Sequence, residues 1–242
     1  MFVVFRKELN DFLNSLIAYV VIGIFLLGTG LLMWVIPETN VLDYGYSDMQ
    51  TLFSLGPFVF LFLIPAVTMR SFAEEKRNGT IEVLFTLPFN SFQVVFGKFL
   101  ACFVLMILAV LPTLVYYQTL YQLGNPVGNL DVAGIIGSYL GMILLGGVFT
   151  ALGVLSSALT GNQIVSFLLS ALLCLSFYAG FDSLASLNPW SASANFIRQA
   201  GLLAHYDSLS KGLIDLSDIV YFLSMIALFL HLTVLTLALQ KR

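Results

Sequence analysis

Charge is what this sequence has least of: 10% of its 242 residues are Asp, Glu, Lys or Arg, while 59% are apolar. A soluble domain carries roughly a quarter charged residues. A chain so poor in charge cannot cover a globule with polar surface, which excludes an ordinary water-soluble protein and leaves lipid as its solvent. Cysteine is nearly absent as well; Cys102 and Cys174 both sit inside apolar runs and read as packing residues. His205 and His231 stand alone, with no second His or Cys at ligand spacing, so a zinc site has no support and both read as structural. No G-x-x-x-x-G-K-[ST] occurs, and Gly97-Lys98 is followed by Phe99 with no phosphate-cradling loop before it. No G-x-S-x-G occurs, so an intramembrane serine hydrolase is unsupported too. The chain is therefore not expected to be an enzyme, to hold a cofactor or to bind nucleic acid.

What is present is a set of long apolar runs. About 20 apolar residues in a helix cross the hydrocarbon of a bilayer. Six stretches qualify: 16–36, 52–69, 94–117, 133–158, 164–184 and 219–239. Helix is the form lipid demands, because an open strand leaves backbone groups unpaired there, and the alternation of a lipid-embedded barrel is missing. The expected fold is an all-α integral membrane protein with six transmembrane helices. If the N-terminus is cytoplasmic, Arg6, Lys7, Arg70, Lys76, Arg77, Lys98, Lys241 and Arg242 lie inside, and only Arg198 and Lys211 outside. That bias places both termini in the cytoplasm. The outer connections carry Glu38, Asp43, Asp48 and Asp131 instead. The first run, preceded by Arg6 and Lys7, is longer than a signal-peptide core and lacks a small-x-small cleavage pattern, so it reads as a retained span.

Residues 1–15 form a separate element. Phe2, Phe5, Leu9, Phe12 and Leu16 recur at helical spacing, with Arg6, Lys7, Asn10, Asp11 and Asn14 opposite. This predicts an amphipathic helix lying in the interface; the alternative is a plain extension of the first span. Gly137 and Gly141 in the fourth run make a small-xxx-small pair, which serves either a dimer face or internal packing. The long connection 185–218 is too apolar for a floppy loop and is expected to fold back onto the outer surface as a re-entrant segment; a solvated loop is the alternative. A helix over Phe196–Lys211 would end at Gly212, and Asp215 with Asp218 would cap the sixth span. Asp182 marks the end of the fifth span rather than a proton relay.

The richest feature is a polar island, RSFAEEKRNGTIEVLFTLP, residues 70–88. It holds three of the ten basic residues and three of the thirteen acids. Pro65 precedes it and is expected to bend the end of the second span. The run SFAEEKRN reads as a short helix, with Glu74 and Arg77 close enough to pair. Asn78-Gly79 is a helix stop with Gly79 left-handed. Thr80 would cap a second helix with Glu82 in its first turn, and Asn90 with Gln93 resembles a capping box. Two short helices joined by a glycine corner and tied to two spans would move both spans if pushed. An ordinary charged loop is the plainer alternative.

The run RSFAEEKRNGTIEVLFTLPFNSFQVVFGKFL resembles the signature of ABC-2 type permeases, which Gly79, Thr80, Glu82, Leu84, Pro88, Gly97 and Lys98 fit. ALGVLSSALTGNQIVSFL and HYDSLSKGLIDLSDIVYFLS are also similar to that family, and within it the chain resembles permease subunits of gliding-motility-associated (Gld) ABC transporters of Bacteroidota. The resemblance implies a bacterial inner-membrane permease and a dimer of partner ABC ATPase subunits carrying ATP and Mg. It also implies a second permease subunit, the same or different, which in the gliding system is expected to have a large periplasmic domain. A coupling helix within residues 70–90 would dock on the ATPase through Phe72, Glu74, Glu75, Lys76, Arg77, Gly79, Thr80 and Glu82. The expected function is transport driven by that ATPase; the alternative is a non-transporting membrane anchor or force-transmitting scaffold.

Overall fold

The computed structural model describes residues 1–44, 48–82, 90–187 and 191–240, without the side chains of 43, 44 and 191–193. Among these residues every regular element is helical. In chain order they are α1 (Phe2–Leu13), α2 (Leu16–Trp34), α3 (Val41–Tyr44), α4 (Gln50–Thr68), α5 (Ala73–Arg77), α6 (Ser91–Val110) and α7 (Leu114–Leu123). They continue with α8 (Val132–Leu159), α9 (Gln163–Leu175), α10 (Phe181–Ser186), α11 (Ser191–Gln199), α12 (Leu202–Ser210) and α13 (Leu216–Gln240). Six stretches are long and apolar enough to cross a membrane. Three of them are compound: α4 turns into α5, α6 passes through a 3-10 turn at Leu111–Thr113 into α7, and α9 widens into a π turn at Ser176–Gly180 before α10. The protein is an all-α integral membrane protein.

Local chemistry sets the starts and stops. The expected capping box is present: the Asn90 side chain receives the first-turn N–H, and the Asn90 N–H donates to Gln93 Oε1 at 3.3 Å. Asp131 accepts the Gly134 N–H at 3.1 Å to open α8, and Asn162 accepts that of Ile164 at 2.9 Å to open α9. Gly79 and Gly212 both end helices at positive φ, +70° and +77°. α4 runs through Pro57 and Pro65 to Thr68.

The fourth span, α8, is the most buried of the six, and α4, α6, α9, α12 and α13 all pack on it. Its glycines explain the crowding. A Cβ on Gly137 would overlap the Leu209 carbonyl oxygen, and one on Gly141 would stand 3.2 Å from Leu209 Cβ. The small-xxx-small pair thus packs internally, seating α12 against α8. The first, fifth and sixth spans leave most of their apolar side chains facing outward, Leu27, Leu168 and Leu235 among them. Such a surface is costly in water and suited to lipid.

Several expectations need correction. α1 is a separate helix, because Ser15 is extended (φ −96°, ψ 143°). Its inward edge, however, is Val4, Glu8 and Phe12, while Phe2 and Leu16 are 67% and 79% exposed. The helix is rotated so that it packs on α6. The outer segment is two helices rather than one over Phe196–Lys211, since the chain breaks at Ala200-Gly201. α12 folds back onto the bundle: Leu202, Tyr206 and Leu209 are buried, and the Tyr206 hydroxyl donates to the Phe53 carbonyl at 2.6 Å. Asp218 does more than sit in a first turn: its Oδ1 lies 2.7 Å from His205 Nδ1. His205 is therefore not solitary; its Nε2 meets the Gln199 carbonyl at 2.9 Å, and its ring stacks on Tyr221 at 3.9 Å. Asp182 is paired with Arg198 at 2.8 Å, tying α10 to α11.

Candidate functional site

The site begins with one misplaced charge. Lys98 lies two turns into α6, in an apolar run, and only 2% of its side chain is exposed. An ammonium there needs partners, because an unpaired charge in an apolar interior costs far more than a hydrogen bond returns. Its Nζ stands 2.8 Å from Glu8 Oε1 on α1 and 2.8 Å from Glu75 Oε1 on α5. The Phe72 ring lies 5.2 Å below it, close enough for a cation–π contact. Gly97 makes this meeting possible: a Cβ there would already touch Val4 at 3.1 Å and the Phe5 backbone nitrogen at 3.2 Å. The adjacent Gly-Lys thus has a physical reason, with Gly97 admitting α1 and Lys98 holding it.

A second anchor is Ser157 near the end of α8. Its Oγ accepts the N–H of Phe72 at 2.9 Å and of Ala73 at 3.0 Å, and donates to the Met69 carbonyl at 3.0 Å. These are backbone groups left open where α4 ends and α5 begins. Lys76 Nζ donates to the Ala158 carbonyl, which also accepts from Gln240 Nε2 at 3.3 Å. Ser71 Oγ reaches Cys102 Sγ on α6 at 3.5 Å. Five residues of one short segment, 71–76, therefore bind it to α6 and α8, and through Lys98 and the Ala158 carbonyl to α1 and α13.

The eight residues expected to dock a partner fall into two groups. Phe72 is fully buried, Glu75 is committed to Lys98, and Lys76 leans on α8. Glu74 is half-exposed, while Arg77, Gly79, Thr80 and Glu82 are exposed. Glu74 and Arg77 do not pair with each other; Glu75, one residue along, is the one that finds a cation. Thr80 does not stand as a free cap, since its hydroxyl donates back to the Glu75 carbonyl at 3.3 Å and its N–H to the same oxygen at 2.9 Å, closing α5. Most of the expected second helix, with Leu84 and Pro88, lies outside the described residues, as do Lys241 and Arg242.

Glu8 and Ser157 were not among the residues singled out from sequence. A lone lysine deep in an apolar run was the available signal that carboxylates had to converge on it. Beside the cluster lies a cavity of about 320 Å³, lined by α1, the start of α2, the end of α4, α5 and Lys98. A larger cavity of about 650 Å³ lies among α4, α8, α12 and the π turn, with Asp48, Asp131, Asp207 and Lys211 on its walls. No group of three or more His, Cys, Asp or Glu that could hold a metal occurs among the described residues.

Compared with known proteins, residues 36–239 match the family model described as "ABC-2 family transporter protein". The match covers Glu75, Lys98 and Ser157; α1, with Glu8, precedes it. No curated protein matches the chain.

Proposed function

The chain belongs to the ABC-2 family of transporter proteins, and on that premise we propose that it is a permease subunit driven through residues 70–82 by an ABC ATPase on a separate chain. The observation that carries the reading is Lys98 held between Glu75 and Glu8. The exposed turn Arg77–Thr80 with Glu74 and Glu82 is the contact for the ATPase. Phe72, Glu75 and Lys76 are the transmission behind it. A push on the turn reaches α6 and α1 through Lys98, α8 through Ser157, and α13 through the shared Ala158 carbonyl. Packed elements joined this way move as bodies rather than deforming continuously. ATP and Mg act on the partner; this chain's residues carry motion.

In this reading the end bearing Arg6, Lys7, Arg70, Lys76 and Lys98 faces the cytoplasm, as the positive-inside rule favours, and six crossings bring both termini there. The membrane is the bacterial inner membrane. A second permease subunit completes the complex, and assignment to a gliding-motility machine rests on the resemblance of the chain as a whole to that branch.

The test is co-purification with an ATPase and measurement of its turnover in nanodiscs. Arg77→Ala with Glu74→Ala should weaken ATPase retention, and Ser157→Ala should leave retention intact while changing turnover. If no ATPase co-purifies, or turnover ignores all three substitutions, the chain is a non-transporting anchor.

A further inference from the structure

We infer that the cavity beside Lys98 binds the headgroup of an amine-bearing zwitterionic phospholipid, of the phosphatidylethanolamine type. The inference stands on the cavity; it shares Glu74 with the proposed ATPase contact, so lipid retention is measured on the chain without an ATPase.

Three unmet groups border this one space of about 320 Å³. Arg70 makes no hydrogen bond or ion pair among the described residues, and its Nε is buried. Glu74, half-exposed on the same wall, has no side-chain partner among the described residues. Glu75 spends Oε1 on Lys98 and leaves Oε2 buried with no partner. Arg70 and Glu74 do not pair with each other. The wall carries four carboxylates, Glu8, Asp11, Glu74 and Glu75, against three cations, Lys7, Arg70 and Lys98, with Lys7 3.5 Å from Glu8 and 3.8 Å from Asp11, so one negative charge is in surplus. Buried polar groups are ordinarily satisfied, and such an unmatched set asks for a ligand of matching pattern. An anionic oxygen must face Arg70, and a cation with N–H donors must face Glu74 and Glu75. Phosphate and ammonium on one short ester supply both.

The source is a lipid rather than a free phosphoamine. Phe12 and Ile17 form part of the wall where α1 turns into α2 at Ser15. α1 exposes Phe2 and Val3, each 67% exposed, which suits the interface of a bilayer. The cavity therefore opens at headgroup depth, with apolar side chains toward the acyl side. Choline cannot substitute, because its quaternary nitrogen carries no N–H for the two glutamates.

Native mass spectrometry of the full chain in detergent, with equal amounts of dioleoyl phosphatidylethanolamine, phosphatidylcholine and phosphatidylglycerol, tests this. Ethanolamine lipid should be retained about tenfold over the other two, the ratio expected for one charge-assisted hydrogen bond lost. Stepwise N-methylation of the headgroup should erode retention stepwise. Glu74→Gln should bring the ratio to near one, Arg70→Gln should lower retention of all three lipids alike because they share the phosphate, and Arg198→Gln, at the opposite end, should do neither; circular dichroism checks that each variant is folded. Soluble phosphoethanolamine at millimolar concentration should not displace the lipid. Equal retention of ethanolamine and choline lipids, stronger retention of the glycerol lipid, displacement by soluble phosphoethanolamine, a preference untouched by Glu74→Gln, or overall retention untouched by Arg70→Gln would each overturn the proposal.

Discussion

Lys98 Nζ and Glu75 Oε1 meet at 2.8 Å, joining residues 23 apart in sequence across the end of a six-span bundle. The pair makes α5 and α6 one body. Glu8 Oε1, also at 2.8 Å, adds α1, 90 residues away from Lys98 in sequence. A loop that only joined two spans would need none of this.

Lys98→Met should destabilise the chain by about 3 kcal/mol, because it strands the largely buried Glu75 and leaves Glu8 only Lys7, 3.5 Å away. The triple change Lys98→Met, Glu8→Gln, Glu75→Gln removes the stranded charges and should recover most of the loss. Melting followed by circular dichroism measures both. If the triple variant regains its melting temperature yet the ATPase no longer responds to the permease, the cluster carries coupling and not just stability. A triple variant as coupled as the parent would refute that role.

Ser157→Ala removes the acceptor of two buried backbone N–H groups, those of Phe72 and Ala73. The cost should be about 2 kcal/mol. Hydrogen exchange offers the direct view: amides at 72 and 73 should exchange faster while those in the middle of α8 stay protected. Unchanged exchange at 72 and 73 would mean another group takes over.

Much of this was legible in the sequence, and the rest was hidden for identifiable reasons. The apolar runs, the Asn90 and Gln93 capping box and the left-handed Gly79 are local, so residue type and spacing suffice. The Lys98 cluster is not local. Its location depends on α1 folding back onto α6, which helical periodicity in α1 alone does not reveal, since Glu8 sits on the same edge as Val4 and Phe12. Ser157 reads as one more small residue in a glycine- and serine-rich helix until α5 is laid beside it. The outer segment misled for a different reason: Gly201, the weakest helix former in Phe196–Lys211, breaks it with an extended backbone, and the Phe181 side chain stands 2.9 Å from where a Cβ there would lie.

Gly97→Val tests the close approach of α1 to α6. Real Cβ contacts are seldom as short as the 3.1 Å to Val4 found here, so the added branches must push α1 away. Overpacking of this kind costs about 1–3 kcal/mol. Spin labels at Arg6 and Gln93 should show a longer and broader distance distribution in the variant. An unchanged distribution would place the freedom in α6 instead.

Asp207, on α12 beside the larger cavity, gives a pH signature. Burial raises its pKa above the ordinary 3.8; Lys211 draws it back and Asp182 pushes it up again. A carboxyl that ionises less readily folded than unfolded penalises the folded state wherever both are charged. The penalty is complete above the folded pKa, and it fades as pH falls through that value toward 3.8, where the unfolded chain also becomes protonated. Asp207→Asn removes it. The variant should therefore melt higher than the parent at neutral pH, and the two curves should converge as the pH approaches about 4. Melting temperatures from pH 8 downward decide this. A constant difference at every pH would mean that shape, not charge, separates the two side chains, and a variant that melts lower at neutral pH would mean that Lys211 holds Asp207 ionised more firmly than burial opposes it.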